Sequence, residues 1–142
     1  MTNSPKSGNS QYLPSDKNVK SILVVEDCPI VNGAMRMVLE WEGYRVLSAA
    51  NGQEALDLLR GGERPSLILL DIAMPVLDGR AFRQEQKADP ALADIPVVVV
   101  SGTQAAASIE AAAHVQKPFL PDELLGAIHR AQGARPSAPS PG

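Results

Sequence analysis

The chain has 142 residues, of which 44% are hydrophobic, 4% aromatic and 20% charged, with a formal net charge of −3. This length suits one domain, and the hydrophobic fraction supports an aliphatic core, which excludes a wholly disordered chain. The absence of a basic stripe argues against direct binding of nucleic acid. The longest apolar runs have only four or five residues, whereas a membrane helix needs about 20.

The two ends of the chain have compositions that are typical of disordered segments. Residues 1–20 are rich in Ser, Asn, Lys and Pro without an apolar signal-peptide core, and residues 134–142 read ARPSAPSPG. We therefore predict disordered tails at 1–20 and 134–142 around a single domain at 21–133, in a cytoplasmic protein. Cys28 is the only cysteine, so the fold cannot depend on an intrachain disulfide.

The first half of the domain predicts two strands, each followed by a helix. An apolar run at 22–25 indicates a buried parallel strand, and Pro29 suits the first position of the next helix. A second strand is predicted at 44–49. The helix after it begins with Asn51 and Glu54, whose spacing is that of a capping box.

The third strand is followed by a helix with a weaker pattern. The apolar run at 67–70 predicts a strand, and the Asp78-Gly79 pair predicts a turn. A helix is predicted over 80–88, but its apolar stripe is interrupted because Glu85 and Gln86 occupy positions where apolar residues are expected.

The last part of the domain predicts two further strands and two helices. Strands are predicted at 96–100 and 113–116, joined by an Ala-rich helix over 104–112. Asp122 is predicted to cap the final helix, which ends at Gly133. Five alternating strands and helices predict an α/β fold, a doubly wound five-stranded parallel sheet covered by helices on both faces in three layers.

Polar side chains follow four of the five strands. They are Glu26 and Asp27 after the first strand, Asp71 after the third, Ser101 after the fourth and Lys117 after the fifth. Ligands of such sheets bind beyond the carboxyl ends of the strands. Clustered carboxylates repel one another, and Mg²⁺, which prefers oxygen ligands, relieves that repulsion. A carboxylate beside such a cation can act as a nucleophile towards phosphorus.

Four of these residues also have an ordinary structural interpretation when they are considered alone. Asp27 could cap the first helix, Asp71 could belong to a turn, Ser101 could cap the next helix, and Lys117 could be a solvated charge. Five suitable groups at four strand ends favour a functional site over four unrelated structural roles.

Several short motifs of the chain together resemble the response-regulator receiver domain of two-component signalling. They are Glu26-Asp27, Asp71 with Met74-Pro75 and Asp78-Gly79, Ser101, Lys117-Pro118-Phe119, and the segment NGQEALDLL in the second helix. The resemblance extends from about 21 to 132. It implies the flavodoxin-like, CheY-like fold with strand order 2-1-3-4-5.

The resemblance also implies a phosphoryl-acceptor site that depends on a divalent cation. Asp71 would accept a phosphoryl group from a phosphohistidine of a sensor histidine kinase or a histidine phosphotransfer protein. Asp27 and Asp71 would bind Mg²⁺ directly, Glu26 would bind it through water, and the backbone carbonyl of Ala73 would complete the set; Mn²⁺ would serve as a substitute.

Three further positions would sense the phosphoryl group. Ser101 would hydrogen-bond a phosphoryl oxygen, and Lys117, in a cis peptide with Pro118, would pair with Asp71 and then with the phosphate. His114 occupies the position of the family's aromatic switch residue. The interval from Ser101 to Lys117 is 16 positions, shorter than is usual in the family, so we expect segment 103–113 to be truncated, mobile and ordered by phosphorylation.

Competing classes lack their signatures. A haloacid dehalogenase phosphatase needs a D-x-D motif, but Ala73 stands at the second acidic position, and the glycine-rich loops of nucleotide-binding enzymes do not occur. The alternative is a pseudo-receiver that binds proteins without phosphorylation. With no output domain expected after Gly133, the sequence predicts a stand-alone response regulator that catalyses only its own phosphorylation and slow dephosphorylation. It would dock onto an unknown protein target or relay phosphate, without contacting nucleic acid or membrane.

Overall fold

The computed structural model of the chain describes residues 20–72, 78–102 and 109–133. In chain order, its elements are β1 (Ser21–Val25), α1 (Pro29–Trp41), β2 (Arg45–Ala49), α2 (Gly52–Arg60), β3 (Leu67–Asp71), α3 (Gly79–Ala88), β4 (Val97–Ser101), β5 (Ala113–Gln116) and α4 (Pro121–Gly133). Strands and helices alternate as predicted from β1 to β4, and α4 follows β5 as predicted. Among the described helices, none has the length and apolar character to cross a membrane.

The five strands form one parallel sheet in the order β2-β1-β3-β4-β5. This confirms the predicted fold class and strand order. Val25 at the end of β1 lies opposite Ala49 of β2 and Leu70 of β3, and Asp71 lies opposite Val100 of β4. All five strands are parallel, so their carboxyl ends share one edge of the sheet. The ends of β1 and β3 meet there, at the point where the strand order reverses.

The three central strands, β1, β3 and β4, are apolar over four successive residues because helices cover both faces of the sheet. Leu23 and Val25 belong to the cluster that packs against α2 and α3. Ile22 and Val24 belong to the cluster on the opposite face, against α1 and α4. Successive side chains of a strand point to opposite faces, so one run of four apolar residues supplies both cores.

Gln86 of α3 corrects the prediction that a polar residue weakens this helix. Its side chain is fully buried, and its Nε2 donates hydrogen bonds to the carbonyls of Leu92 at 2.9 Å and Ile95 at 3.0 Å. Its Oε1 accepts a hydrogen bond from Arg83 Nη1 at 2.9 Å. Gln86 therefore satisfies buried carbonyls of the loop between α3 and β4, and fixes that loop to the helix.

We expect Gln86→Leu to lower the free energy of unfolding by about 1–3 kcal/mol, because leucine cannot donate to the carbonyls of Leu92 and Ile95. The Leu92 carbonyl keeps one donor, the backbone N–H of Ile95 at 3.1 Å. Urea unfolding followed by circular dichroism measures this change. The matched control is Gln84→Leu at an exposed position of the same helix, where we expect a change within about 0.5 kcal/mol. Equal stability of the two variants would show that the Gln86 hydrogen bonds contribute nothing.

The connection between β4 and β5 differs from the predicted helix over 104–112. Residues 104–108 lie outside the described residues, and Ile109–Ala112 are not helical. Ile109 is buried in the core. Glu110 is held by α3, because Arg83 Nε donates to its carbonyl at 2.9 Å and Lys87 pairs with its carboxylate. The end of this connection is thus fixed by burial and by two side chains of α3.

The final helix begins two residues earlier than a cap at Asp122 requires. Pro121 is its first residue, so Asp122 lies within the first turn and the prediction that it caps the helix is wrong. Glu123 acts at this end instead: its Oε1 accepts a hydrogen bond from the backbone N–H of Leu120 at 2.8 Å. Proline is favoured at the first helical position because its missing N–H would have no partner there.

Candidate functional site

The carboxyl ends of β1 and β3 bring three carboxylates together at one edge of the sheet. Glu26 and Asp27 follow β1, and Asp71 is the last residue of β3. One carboxylate oxygen from each lies within 4.8 Å of the other two. Glu26 is 2% exposed and Asp71 6% exposed, whereas Asp27 is open to solvent. The cluster that the sequence predicts is therefore present, with two acids buried and one accessible.

Lys117, which follows β5, contacts two of these carboxylates. Its Nζ donates to Glu26 Oε1 at 2.7 Å and to Asp71 Oδ1 at 3.5 Å. The predicted pairing of Lys117 with Asp71 is thus present but is the longer of the two hydrogen bonds. The shorter one, with Glu26, was missed by sequence reasoning, because the two residues are 91 positions apart and only the folded sheet brings them together. The Lys117-Pro118 peptide is cis, as the resemblance implies.

Glu26 is held in place by several hydrogen bonds. Its Oε2 accepts a hydrogen bond from the backbone N–H of Cys28 at 3.2 Å. Its backbone carbonyl accepts one from Asn32 Nδ2 at 3.2 Å, and Asn32 Oδ1 accepts one from Ser48 Oγ at 3.1 Å. The end of β1 is therefore tied both to α1 and to β2, which leaves Glu26 little freedom to reorient.

Asp27 does not cap helix α1, which is the structural role that its position in the sequence suggested. The residue at the N-cap of α1 is Cys28, and no side chain caps this helix. The interpretation of Asp27 as a helix cap is therefore wrong. An exposed carboxylate beside two buried ones is available to a ligand from solvent.

Burial and the neighbouring Glu26 raise the pKa of Asp71 to about 6, an effect that Lys117 only partly offsets. For Lys117 itself, burial alone would lower the pKa. The hydrogen bond to Glu26 and the negative charge of Asp71 outweigh it, and the pKa lies above its ordinary value. The site therefore holds more negative charge than one lysine neutralises.

The raised pKa of Asp71 predicts that Asp71→Asn stabilises the metal-free protein at pH 8. The pKa of Asp71 is higher in the folded state than in the unfolded state. The free energy of unfolding of the wild type is therefore unaffected by Asp71 below about pH 4 and falls as the pH rises through about 6. The difference between the two pKa values sets an upper limit of about 3 kcal/mol. Urea unfolding at pH 4 and pH 8 measures the difference in the free energy of unfolding between Asp71→Asn and the wild type, which we expect to be near zero at pH 4. A difference that does not grow with pH would contradict the prediction.

Ser101 and Gly102 lie at the end of β4, on the other side of Asp71 from β1. Ser101 is 7% exposed, and its carbonyl accepts a hydrogen bond from the backbone N–H of Lys117 at 2.8 Å. A Cβ on Gly102 would meet no atom within 4 Å. The end of β4 is thus joined to the residue after β5, which links the predicted serine and lysine positions through the backbone.

Two other predicted positions give less information. Ala73, with Met74-Pro75, lies outside the described residues, as do 103–108 of the segment expected to be mobile. His114 of β5 is exposed, and its Nε2 makes a 2.9 Å hydrogen bond with the carbonyl of Ile109. His114 therefore contacts the end of the β4–β5 connection, and its role as a switch stays a prediction.

The donor set of this edge fits Mg²⁺. Three carboxylates supply oxygen atoms only, which is the chemistry that a hard divalent cation prefers. Burial is the largest cause of the raised pKa of Asp71, and the negative charges of Glu26 and Asp27 raise it further. A bound cation would offset that repulsion between the carboxylates.

A family model described as "Response regulator receiver domain" matches residues 22–129. Among curated proteins, the "Probable transcriptional regulator ycf27" of Cyanophora paradoxa is 36% identical over 117 residues, which are 78% of this chain and 47% of that protein. The chain spans about half the length of the curated relatives it matches.

Two similar solved structures contain magnesium. The receiver domain of a sensor histidine kinase from Pseudomonas aeruginosa PAO1, with a magnesium ion coordinated in its active-site cleft, is 28% identical, with a TM-score of 0.76, and the match covers 82% of this chain and 99% of that one. The response regulator protein TrrA of Thermotoga maritima, in complex with Mg²⁺-BeF, is 30% identical, with a TM-score of 0.72 and coverages of 80% and 99%. With the family model, the fold and the acidic cluster in agreement, the chain belongs to the response regulator receiver domains of two-component signalling.

Proposed function

We propose that this chain accepts a phosphoryl group on Asp71 from a phosphohistidine of a sensor histidine kinase or a histidine phosphotransfer protein. The observation that carries the proposal is a buried carboxylate at the end of β3 with two other carboxylates and an ammonium around it. Their oxygens lie within 4.8 Å of one another, and Lys117 Nζ is 3.5 Å from Asp71 Oδ1. Phosphoryl transfer depends on such positioning and charge neutralisation more than on covalent assistance.

The proposed reaction forms one bond and breaks one. A carboxylate oxygen of Asp71 attacks the phosphorus, the phosphorus–nitrogen bond of the donor breaks, and the imidazole of the donor keeps that electron pair and takes up a proton from solvent. Deprotonated Asp71 is the nucleophile, and its pKa of about 6 leaves it ionised at neutral pH.

Mg²⁺ would be held by Asp27 and Asp71 directly, by Glu26 through water and by the backbone carbonyl of Ala73, with Mn²⁺ as a substitute. When bound, the cation supplies positive charge that offsets the charge of the incoming phosphoryl group. Asp27 suits direct binding because it is exposed. Glu26 suits an indirect role because Cys28 and Lys117 already occupy its two oxygens.

Lys117 and Ser101 would contact the transferred group. Lys117 Nζ lies 3.5 Å from Asp71 Oδ1, so a short movement from Glu26 towards the phosphoryl oxygens would exchange one anionic partner for another. Ser101 lies at the end of the neighbouring strand, opposite Gln116 of β5 in the register. The backbone link between Ser101 and Lys117 would let the two respond together.

The proposed output is a change in protein docking. Segment 103–113 would become more ordered on phosphorylation, and His114 would move with it from a more exposed to a more buried position. A downstream protein target would read that change, or the phosphate would be relayed onward. The net charge of −3 supports a protein partner over nucleic acid or an anionic membrane. In this proposal the receiver domain spans 21–133, with disordered tails at 1–20 and 134–142, and the protein works in the cytoplasm. It catalyses only its own phosphorylation and slow dephosphorylation.

Incubation with acetyl phosphate tests the proposal, because this small donor needs no partner protein. With Mg²⁺ present, we expect the intact mass to rise by one phosphoryl group, in an adduct that hydroxylamine removes as it does other acyl phosphates. EDTA should prevent the adduct, and Mn²⁺ should replace Mg²⁺. A folded chain that forms no adduct under any of these conditions would favour the pseudo-receiver alternative, a binding module that works without phosphorylation.

A further inference from the structure

Gly79, the first residue of α3, lies directly against the end of β3. Its N–H donates a hydrogen bond to the carbonyl of Ile72 at 3.0 Å. A Cβ on Gly79 would lie 2.6 Å from the carbonyl oxygen of Asp71, 2.8 Å from Ile72 Cα and 2.6 Å from Ile72 Cδ1. Non-bonded carbon atoms pack about 3.5–4.0 Å apart, so any side chain here must displace its neighbours. Two of these three atoms belong to the backbone on either side of the peptide bond after Asp71.

If a side chain were added at Gly79, the end of β3 would move and helix α3 would stay in place. The helix α3 is anchored further along by Gln86, which is fully buried and bonded to the loop before β4. Leu70 is paired with strands on both sides, whereas Asp71 is paired in the register only with Val100 of β4. A Cβ at the start of α3 would therefore push Asp71 and Ile72 away from their present position.

We infer that Gly79 is a positioning residue for Asp71: its missing side chain lets α3 pack against the backbone of β3 and so sets where the Asp71 carboxylate stands relative to Glu26 and Lys117. Its backbone is not in the left-handed region, so a turn does not explain the need for glycine. Reacting groups must be held within about 0.5 Å of their productive geometry. This inference rests on the proposed phosphoryl acceptance at Asp71.

The variant Gly79→Ala tests the inference, provided that its labelling rate and Mg²⁺ affinity are measured well below the temperature at which the variant unfolds. We expect the rate of labelling by acetyl phosphate to fall at least ten-fold and the Mg²⁺ affinity, from an NMR titration with MgCl₂, to fall several-fold. The matched control is Gly126→Ala in α4, where a Cβ would meet only Arg130 Nη1, at an ordinary 3.5 Å. Labelling and Mg²⁺ affinity of that control should equal those of the wild type.

The double variant Ile72→Val with Gly79→Ala separates the site from general packing. Valine lacks Cδ1, so it removes the side-chain conflict and leaves both backbone conflicts. We expect the double variant to regain stability relative to Gly79→Ala while its labelling and Mg²⁺ affinity stay low, with Ile72→Val alone close to the wild type in both.

Three results would overturn the inference. The first is unchanged labelling and Mg²⁺ affinity in folded Gly79→Ala, and the second is recovery of both in the double variant. The third is failure of both variants to fold, which would mean that Gly79 is needed for folding in general and not for the site in particular. Absence of any adduct on the wild type and on Gly126→Ala would instead remove the proposed function. The Mg²⁺ titration would then still decide whether Gly79 sets the geometry of the carboxylate cluster.

Discussion

Asp71→Asn is expected to reduce the acetyl phosphate adduct by at least about a hundred-fold, because the amide lacks the anionic oxygen that attacks phosphorus. The fold should persist, since the two side chains are nearly isosteric and Lys117 keeps its 2.7 Å hydrogen bond to Glu26. The measurement is the fraction of phosphorylated chain by intact mass, after incubation with acetyl phosphate and Mg²⁺, with hydroxylamine lability as the chemical check.

The matched control for this variant is Asp94→Asn, which removes an exposed carboxylate in the loop before β4. It should be labelled as fast as the wild type. Undiminished labelling of Asp71→Asn would place the acceptor on another residue, and peptide mapping of the adduct would identify it. Loss of labelling in both variants would indicate a general effect of charge on the donor.

Asp27→Asn is expected to weaken Mg²⁺ binding at least ten-fold, equivalent to about 1.4 kcal/mol, and more than Glu26→Gln does. Asp27 is exposed beside the buried acids, so its oxygens can reach a cation from solvent. Both oxygens of Glu26 already accept hydrogen bonds, from Cys28 N–H and from Lys117 Nζ. An NMR titration with MgCl₂ gives both dissociation constants.

Glu26→Gln should have its larger effect on Lys117, which loses its nearest carboxylate and should turn to Asp71. Asp57→Asn, an exposed acid on α2, is the control for loss of one negative charge, and its Mg²⁺ affinity should match the wild type. A Glu26→Gln variant that loses more Mg²⁺ affinity than Asp27→Asn would reverse the assignment of direct and water-mediated contacts.

Much of the fold could be predicted because its signals are local. A run such as 22–25 is apolar at every position only when both faces of the strand are buried, and Pro29 marks the start of a helix by its missing N–H. The meeting of Glu26, Asp27 and Asp71 followed from the same reasoning, since parallel strands end at one edge. The chemical roles of these residues stay predictions.

Other features could not be predicted because they depend on residues that are distant in the sequence. Gln86 interrupts an apolar stripe, and nothing in its own segment shows that the carbonyls of Leu92 and Ile95 need a donor. The β4–β5 connection is similar. Its Ala-rich composition favours a helix, but at its end Ile109 is buried and Glu110 is bound by α3, and these residues are not helical.

The sequence by itself determined the alternation of strands and helices, the parallel sheet and the acidic residues at its edge, because periodicity and strand ends are properties of short segments. Only the tertiary structure decided that Lys117 lies nearer Glu26 than Asp71, that Asp71 is buried enough for its pKa to rise to about 6, and that Gly79 packs on the Asp71 backbone. These depend on distances of a few ångströms between separate elements, which the packing of helices on the sheet sets and no local pattern encodes.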